Sequence, residues 1–134
     1  MSLKFLGRYK DFGLLLLRVG IGVMFLLHGA PKLLGGPDKW TSLGSAMQYL
    51  GIHAFPMFWG FSAAVTEFFG GVFLILGLFF RPACFFLAVT MAVAASMHVG
   101  RGEGLMAASH AIENGIFFLG LIFIGPGRYS VDRG

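Results

Sequence analysis

A chain of 134 residues with 57% hydrophobic and only 12% charged residues, at a mean hydropathy of +0.81, lies far from the soluble balance of about a quarter charged residues. It reads as a membrane protein without room for a separate soluble catalytic domain. The net charge of +4 does not mark a nucleic-acid partner, because Lys and Arg are spread over termini and loops without a basic stripe, and the single cysteine, Cys84, excludes an intrachain disulfide and a CxxC pair.

At the N-terminus Lys4, Arg8 and Lys10 precede an apolar run that outlasts a signal h-region and lacks a small-residue cleavage site, so it is expected to be retained. The first span is predicted over about 13–34, ended by Gly35, Gly36 and Pro37. In DKWTSLGSAMQYLGIHAF, Trp40, Leu43, Met47 and Leu50 recur at helical spacing, which predicts a short helix at the membrane interface, with His53 beside it. The second span is predicted over about 56–80, then a turn at Arg81 and Pro82, a third span over 82–99, the loop GRGEG, and a fourth span over 105–124 stopped by GPG. The expected fold is an all-α membrane protein: a single domain over 1–134, a four-transmembrane-helix bundle with a short interfacial helix between helices 1 and 2. Lys and Arg are concentrated in the terminal segments and the Arg81 turn, which places both termini in the cytoplasm.

With alternating helix directions, His28 and Lys32 come late in an outward-running helix, His98 late in another, and His110 and Glu113 early in an inward-running one. Depth alone gathers these five residues in the outer part of the membrane. His28 and Lys32 share a face at spacing four, as do His110, Glu113 and Asn114 at spacings of three and four. Glu67 lies nearer mid-depth and Arg18 nearer the cytoplasmic side. An uncompensated charge at a helix centre costs about 2.5 to 3.5 kcal/mol, so Glu67, Glu113 and Arg18 are expected to face the bundle. The bland alternatives are a snorkelling Lys32, an Arg18 that ties helix ends together, carboxylates paired only for assembly, Phe stripes that pack or meet lipid, and a buried, unreactive Cys84.

The order of RVGIGVMFLLHGAPKL, a glutamate followed by GG, the LGLFFRP turn, MHVG, a mid-helix glutamate and the ending GPGRYSVD resembles the DoxX family, from about Leu14 to Asp132. The resemblance implies a small four-helix protein of a bacterial or archaeal cell membrane. It also implies a redox setting, since relatives are associated with thiosulfate:quinone oxidoreduction, catechol and quinone stress, and oxidative-stress complexes. The family pattern falls on Arg18, His28, Gly29, Lys32, Glu67, Arg81, His98, Glu113, Arg128, Ser130 and Asp132, while His110 and Asn114 are less typical of it. Arg128 and Asp132, four apart, are expected to pair, and Ser130 to cap a turn.

Three functions remain open on the sequence. The first is a quinone-linked redox subunit whose outward pocket uses Glu67, His98 and Glu113 for proton transfer, with Arg18, His28, Lys32, His110 and Asn114 as ligand-binding residues. Histidine suits that role because its ring titrates near ambient pH. Flavin and iron-sulfur motifs are lacking, so electrons would come from a partner protein or a directly bound reductant. The second is a metal or haem site built from His28, His98, His110 and Glu113. The third is a non-catalytic assembly or transport subunit, with self-association favoured by open faces rich in Phe and Gly.

Overall fold

The computed structural model of the protein describes residues 3–133. A 3-10 stretch (Lys4–Tyr9) leads into α1 (Lys10–Leu34). The short α2 (Pro37–Gly44) runs on into a second 3-10 stretch (Ser45–Leu50), and α3 (Pro56–Leu76), α4 (Phe80–Gly100) and α5 (Leu105–Ile124) complete the chain. Among the described residues four helices, α1 with its 3-10 lead, α3, α4 and α5, are long and apolar enough to cross a membrane. The chain is a multi-pass membrane protein. Up-and-down connection brings both chain ends to one end of the bundle, here the terminal end, and α2 with the α4–α5 loop to the other, the distal end.

The helices α1 and α3 pack closely, and glycine makes it possible. A Cβ at Gly29 would stand 2.6 Å from the backbone nitrogen of Phe68, and one at Gly71 would stand 2.7 Å from the carbonyl oxygen of Gly22. Such backbone approach is how helices associate where lipid removes the hydrophobic drive. Beneath this contact Phe25, Leu74, Phe80, Cys84, Leu87, Phe118 and Leu121 form the core, and the Phe25 and Phe118 rings meet edge-on at 5.2 Å.

The short helix after the first span is present, and its position has a local cause. Gly36, at φ +83°, breaks the chain after α1, and Pro37 restarts it at the first helical position. Gly44 lies against the carbonyl of Pro56 and Gly60 against that of Trp40, so α2 runs antiparallel along the first turns of α3. The Trp40 ring packs edge-on against Phe61 at 4.8 Å, and its indole N–H donates to the Lys32 carbonyl at 3.1 Å. Gly51, at φ +81°, ends the segment.

The turn between α3 and α4 falls earlier than the sequence pattern suggests. Gly77, at φ +65°, stops α3 at Leu76, and Arg81 and Pro82 sit inside the first turn of α4. Proline costs nothing there, since the first amides of a helix have no intrahelical partner. The exposed amides are capped from the far end of the chain: the Asp132 carboxylate accepts from Phe79 N–H at 3.1 Å and Phe80 N–H at 2.8 Å. A carboxylate at a helix N-terminus also meets the positive end of the dipole. This replaces the expected Arg128–Asp132 pair. Arg128 instead lies over the Tyr129 ring at 6.0 Å and donates its backbone N–H to Asp11. Ser130 does hold a turn, donating to the Gly127 carbonyl and accepting from Arg133 N–H.

Candidate functional site

The buried seam of α1 is Arg18, Gly22, Phe25 and Gly29. Its steps are four, three and four, and a further step of three reaches Lys32 in the last turn. On α3 the buried seam includes Gly60, Ala64, Glu67, Gly70 and Gly71. The two seams meet, and the Lys32 ammonium donates to both Glu67 carboxylate oxygens, at 3.0 and 2.8 Å. Glu67 is only 6% exposed. Its charge is therefore compensated inside the bundle, as an intramembrane carboxylate requires.

The pair borders a cavity of about 550 Å³ between the α2 segment, α3 and α4, within the usual size range of small-molecule sites. Its walls are mostly apolar, from Leu43, Met47, Trp59, Ala63, Phe86 and Val93, with Ser62, Thr66, Thr90 and His98 adding polar groups. Thr90 donates to the Phe86 carbonyl of its own helix. His98 closes the distal side, its Nδ1 lying 2.6 Å from Oε1 of Glu103. A carboxylate can only accept, so Nδ1 carries the proton in that contact and Nε2 is the other ring position. The arrangement gives an apolar chamber with an ammonium–carboxylate pair at one wall and an imidazole–carboxylate pair at its distal side.

The single outward pocket expected from depth divides in two. Lys32, Glu67 and His98 share the cavity, whereas His28, His110, Glu113 and Asn114 are absent from its lining. His28, His110 and Glu113 are exposed on the bundle's outside and Asn114 is half-buried. Helical phase explains the division. The buried seam of α5 is Ala108, Ala111, Phe118 and Leu121, and positions 110 and 113 fall off it, just as 28 falls beside the α1 seam. Equal depth placed these residues on a level without placing them on a face.

Arg18 lies outside the cavity as well. It is 1% exposed and sits at the terminal end. Its Nε donates to the Leu74 carbonyl at 2.9 Å, Nη2 to Ile75 at 2.9 Å, and Nη1 to Pro126 at 3.1 Å and Tyr129 at 2.8 Å. It thus satisfies carbonyls at the α3 C-terminus and the tail after α5, the helix-end tie, rather than ligand binding. Among the described residues no three His, Cys, Asp or Glu side chains gather where they could hold a metal ion, and the His28, His98, His110 and Glu113 set is split between cavity and exterior. The donor set does not fit a metal centre.

Sequence reasoning passed over Glu103, read only as part of a loop. Its signal was its place just past the end of the α4 helix, five residues after His98. It also passed over Trp59 and Thr66, whose one-residue offsets from the α3 seam line the cavity wall.

Comparison with known proteins agrees with this architecture. The DoxX family model matches residues 13–99. The chain is 35% identical to an uncharacterized protein of Haemophilus influenzae, over 96% of this chain and 94% of that one. It is 30% identical to the inner membrane protein YphA of Escherichia coli, over 94% and 96%. A Bacillus subtilis protein that bears the provisional name oxidoreductase CatD is 32% identical over 60% of this chain and 55% of its own length. No solved structure matches the chain. The order of its helices and the extent of these matches make it a member of the DoxX family.

Proposed function

We propose that the chain is a redox-associated membrane subunit that binds a quinone-type ring in the cavity between α2, α3 and α4. The observation that carries this reading is the convergence of Lys32, Glu67 and His98 on one largely apolar chamber of about 550 Å³. A flat ring with two carbonyls suits apolar walls plus a few placed donors. The Lys32 ammonium can donate to one carbonyl while it keeps one bond to Glu67, and the His98 ring, when protonated on both nitrogens, can donate through Nε2. When bound, a quinone accepts two electrons and two protons. The chain's own part is to orient the ring, exclude water and deliver protons, with His98, held by Glu103, passing them in from the distal side. The electrons come from a partner protein or a reductant at the chamber mouth. The provisional name of the Bacillus subtilis relative supports a redox setting.

Labelling with a photoreactive azidoquinone in nanodiscs tests this. Label is expected on α3 and α4, and Ala63→Trp, which fills the chamber, is expected to weaken quinone binding at least about tenfold, a loss of about 1.4 kcal/mol. Label that is unchanged by Ala63→Trp would sink the proposal.

The Escherichia coli relative YphA is named as an inner membrane protein, and the same membrane is inferred here. With Lys4, Arg8, Lys10, Arg81, Arg128 and Arg133 at the terminal end, the positive-inside rule puts that end in the cytoplasm and the His98–Glu103 mouth on the opposite side. Alkaline phosphatase and green fluorescent protein fusions at the C-terminus check this. A fluorescent C-terminal fusion without phosphatase activity is the expected result, and the reverse would move the chamber mouth to the cytoplasmic face.

A further inference from the structure

We propose that two copies of the chain pair side by side through the outer faces of α1 and α5, with His28 of one copy binding Glu113 of the other. The starting observation is a set of polar side chains that the chamber does not use. His28, His110 and Glu113 are all exposed, α5 contributes nothing to the chamber lining, and the ion pairs found among the described residues are Lys32–Glu67 and His98–Glu103. Glu113 lies eight residues into α5, about 12 Å below its first residue. That depth is hydrocarbon for a spanning helix, where an ionisable side chain needs a polar partner. The described residues supply none, so we place the partner on a second copy.

Register identifies that partner. The contact between the Phe25 and Phe118 rings, 5.2 Å apart, sets α1 residue 25 level with α5 residue 118. Stepping three residues toward the distal end on each antiparallel helix places His28 level with Gly115. Glu113 stands two residues higher, about 3 Å. A twofold axis along the membrane normal preserves depth, so it brings His28 of each copy level with Glu113 of the other. Two exposed helix surfaces that carry a donor and an acceptor at one level can pair reciprocally, as an isologous dimer requires. Gly20 and Gly120 are exposed on the same two helices, and a Cβ at either would meet nothing within 4 Å, which leaves the backbone open to a neighbouring helix. His110, one turn above Glu113, adds a second imidazole to the interface.

Two measurements test this. The first is single-molecule photobleaching of the labelled wild-type chain at low density in liposomes, where two-step bleaching is expected. Glu113→Ala should lower the dimer association constant at least about tenfold, and Glu113→Gln, which still accepts a hydrogen bond, should do so less. Single-step bleaching of the wild type would overturn the proposal, whether the face is then bare or held by a different protein. The second is oxidative cross-linking in membranes of co-expressed, differently tagged chains, one carrying His28→Cys and the other Glu113→Cys. A mixed-tag disulfide is expected. A disulfide that forms only within a chain carrying both substitutions would show that the two residues face each other across one α1–α5 seam, and would equally overturn the dimer.

Discussion

Replacing Arg18 by methionine is expected to destabilise the protein by at least about 4 kcal/mol, the low end of about 1 to 3 kcal/mol for each of four orphaned carbonyls. The size follows from what the guanidinium does. It holds Leu74 and Ile75 at the last turn of α3 and Pro126 and Tyr129 in the tail, at 2.8 to 3.1 Å, and it is almost wholly buried. Methionine fills much of the volume and supplies no donor. Arg18→Lys should recover only part of the loss, because one rotating ammonium cannot match a planar fork aimed at four fixed carbonyls. Thermal unfolding in detergent followed by helicity gives the ranking wild type, lysine, methionine. Limited proteolysis should cut the tail after Gly125 first in the methionine variant. A lysine variant as stable as the wild type would mean that charge alone, rather than the fork, holds the helix ends.

The helices were legible because lipid leaves so few options. A chain this apolar must close its backbone hydrogen bonds within helices or a closed barrel, and Gly35, Gly36, Pro37 and the Gly125–Pro126–Gly127 stop mark where it cannot continue. The α3–α4 turn was misplaced by a few residues because the sequence shows Arg81 and Pro82 as a charged, breaking pair, while the break comes from Gly77 at positive φ. The Asp132 cap was also illegible. It joins residues more than fifty positions apart, and spacing along the chain favoured the local Arg128 instead.

The candidate site was half legible for a related reason. Hydropathy and direction give the expected depth of a residue, and depth groups Lys32 and His98 with His28, His110 and Glu113, of which the cavity takes in Lys32 and His98. The phase around the helix decides which of them turn inward, and on α1 the glycines carry that phase: Gly22 and Gly29 must lie on the α3 contact, which commits Lys32 to the same face and His28 to its edge. On α5 the seam residues are Ala108 and Ala111, too common in a spanning helix to stand out. Counting along the helices puts Glu67 at mid-depth and Lys32 at the helix end, which hides their pairing. The break at Gly36 resolves this, since α3 begins beyond the end of α1 and α2 packs along the overhang.

The Lys32–Glu67 pair separates stability from function in a way that single substitutions cannot. Lys32→Met leaves a buried carboxylate without its counter-charge and is expected to cost about 3 to 5 kcal/mol, the range for breaking a buried pair by removing one partner. Glu67→Leu should cost a similar amount, toward the lower end because Lys32 is 31% exposed into the chamber. Glu67→Gln should be milder than Glu67→Leu, since the amide oxygen still accepts from the ammonium. The double variant Lys32→Met with Glu67→Leu removes both charges and should recover most of the loss, because an apolar pair of similar volume has no desolvation cost to offset. A double-mutant cycle by thermal unfolding should therefore show coupling above about 1 kcal/mol, and additive losses would mean that the 2.8 Å contact carries little energy. The same double variant then asks why the pair is there. If the chamber binds a quinone through the Lys32 ammonium, a well-folded double variant should lose azidoquinone labelling. If that variant keeps wild-type labelling, the pair serves only to join α1 to α3, and the ligand's polar contacts fall to His98 alone.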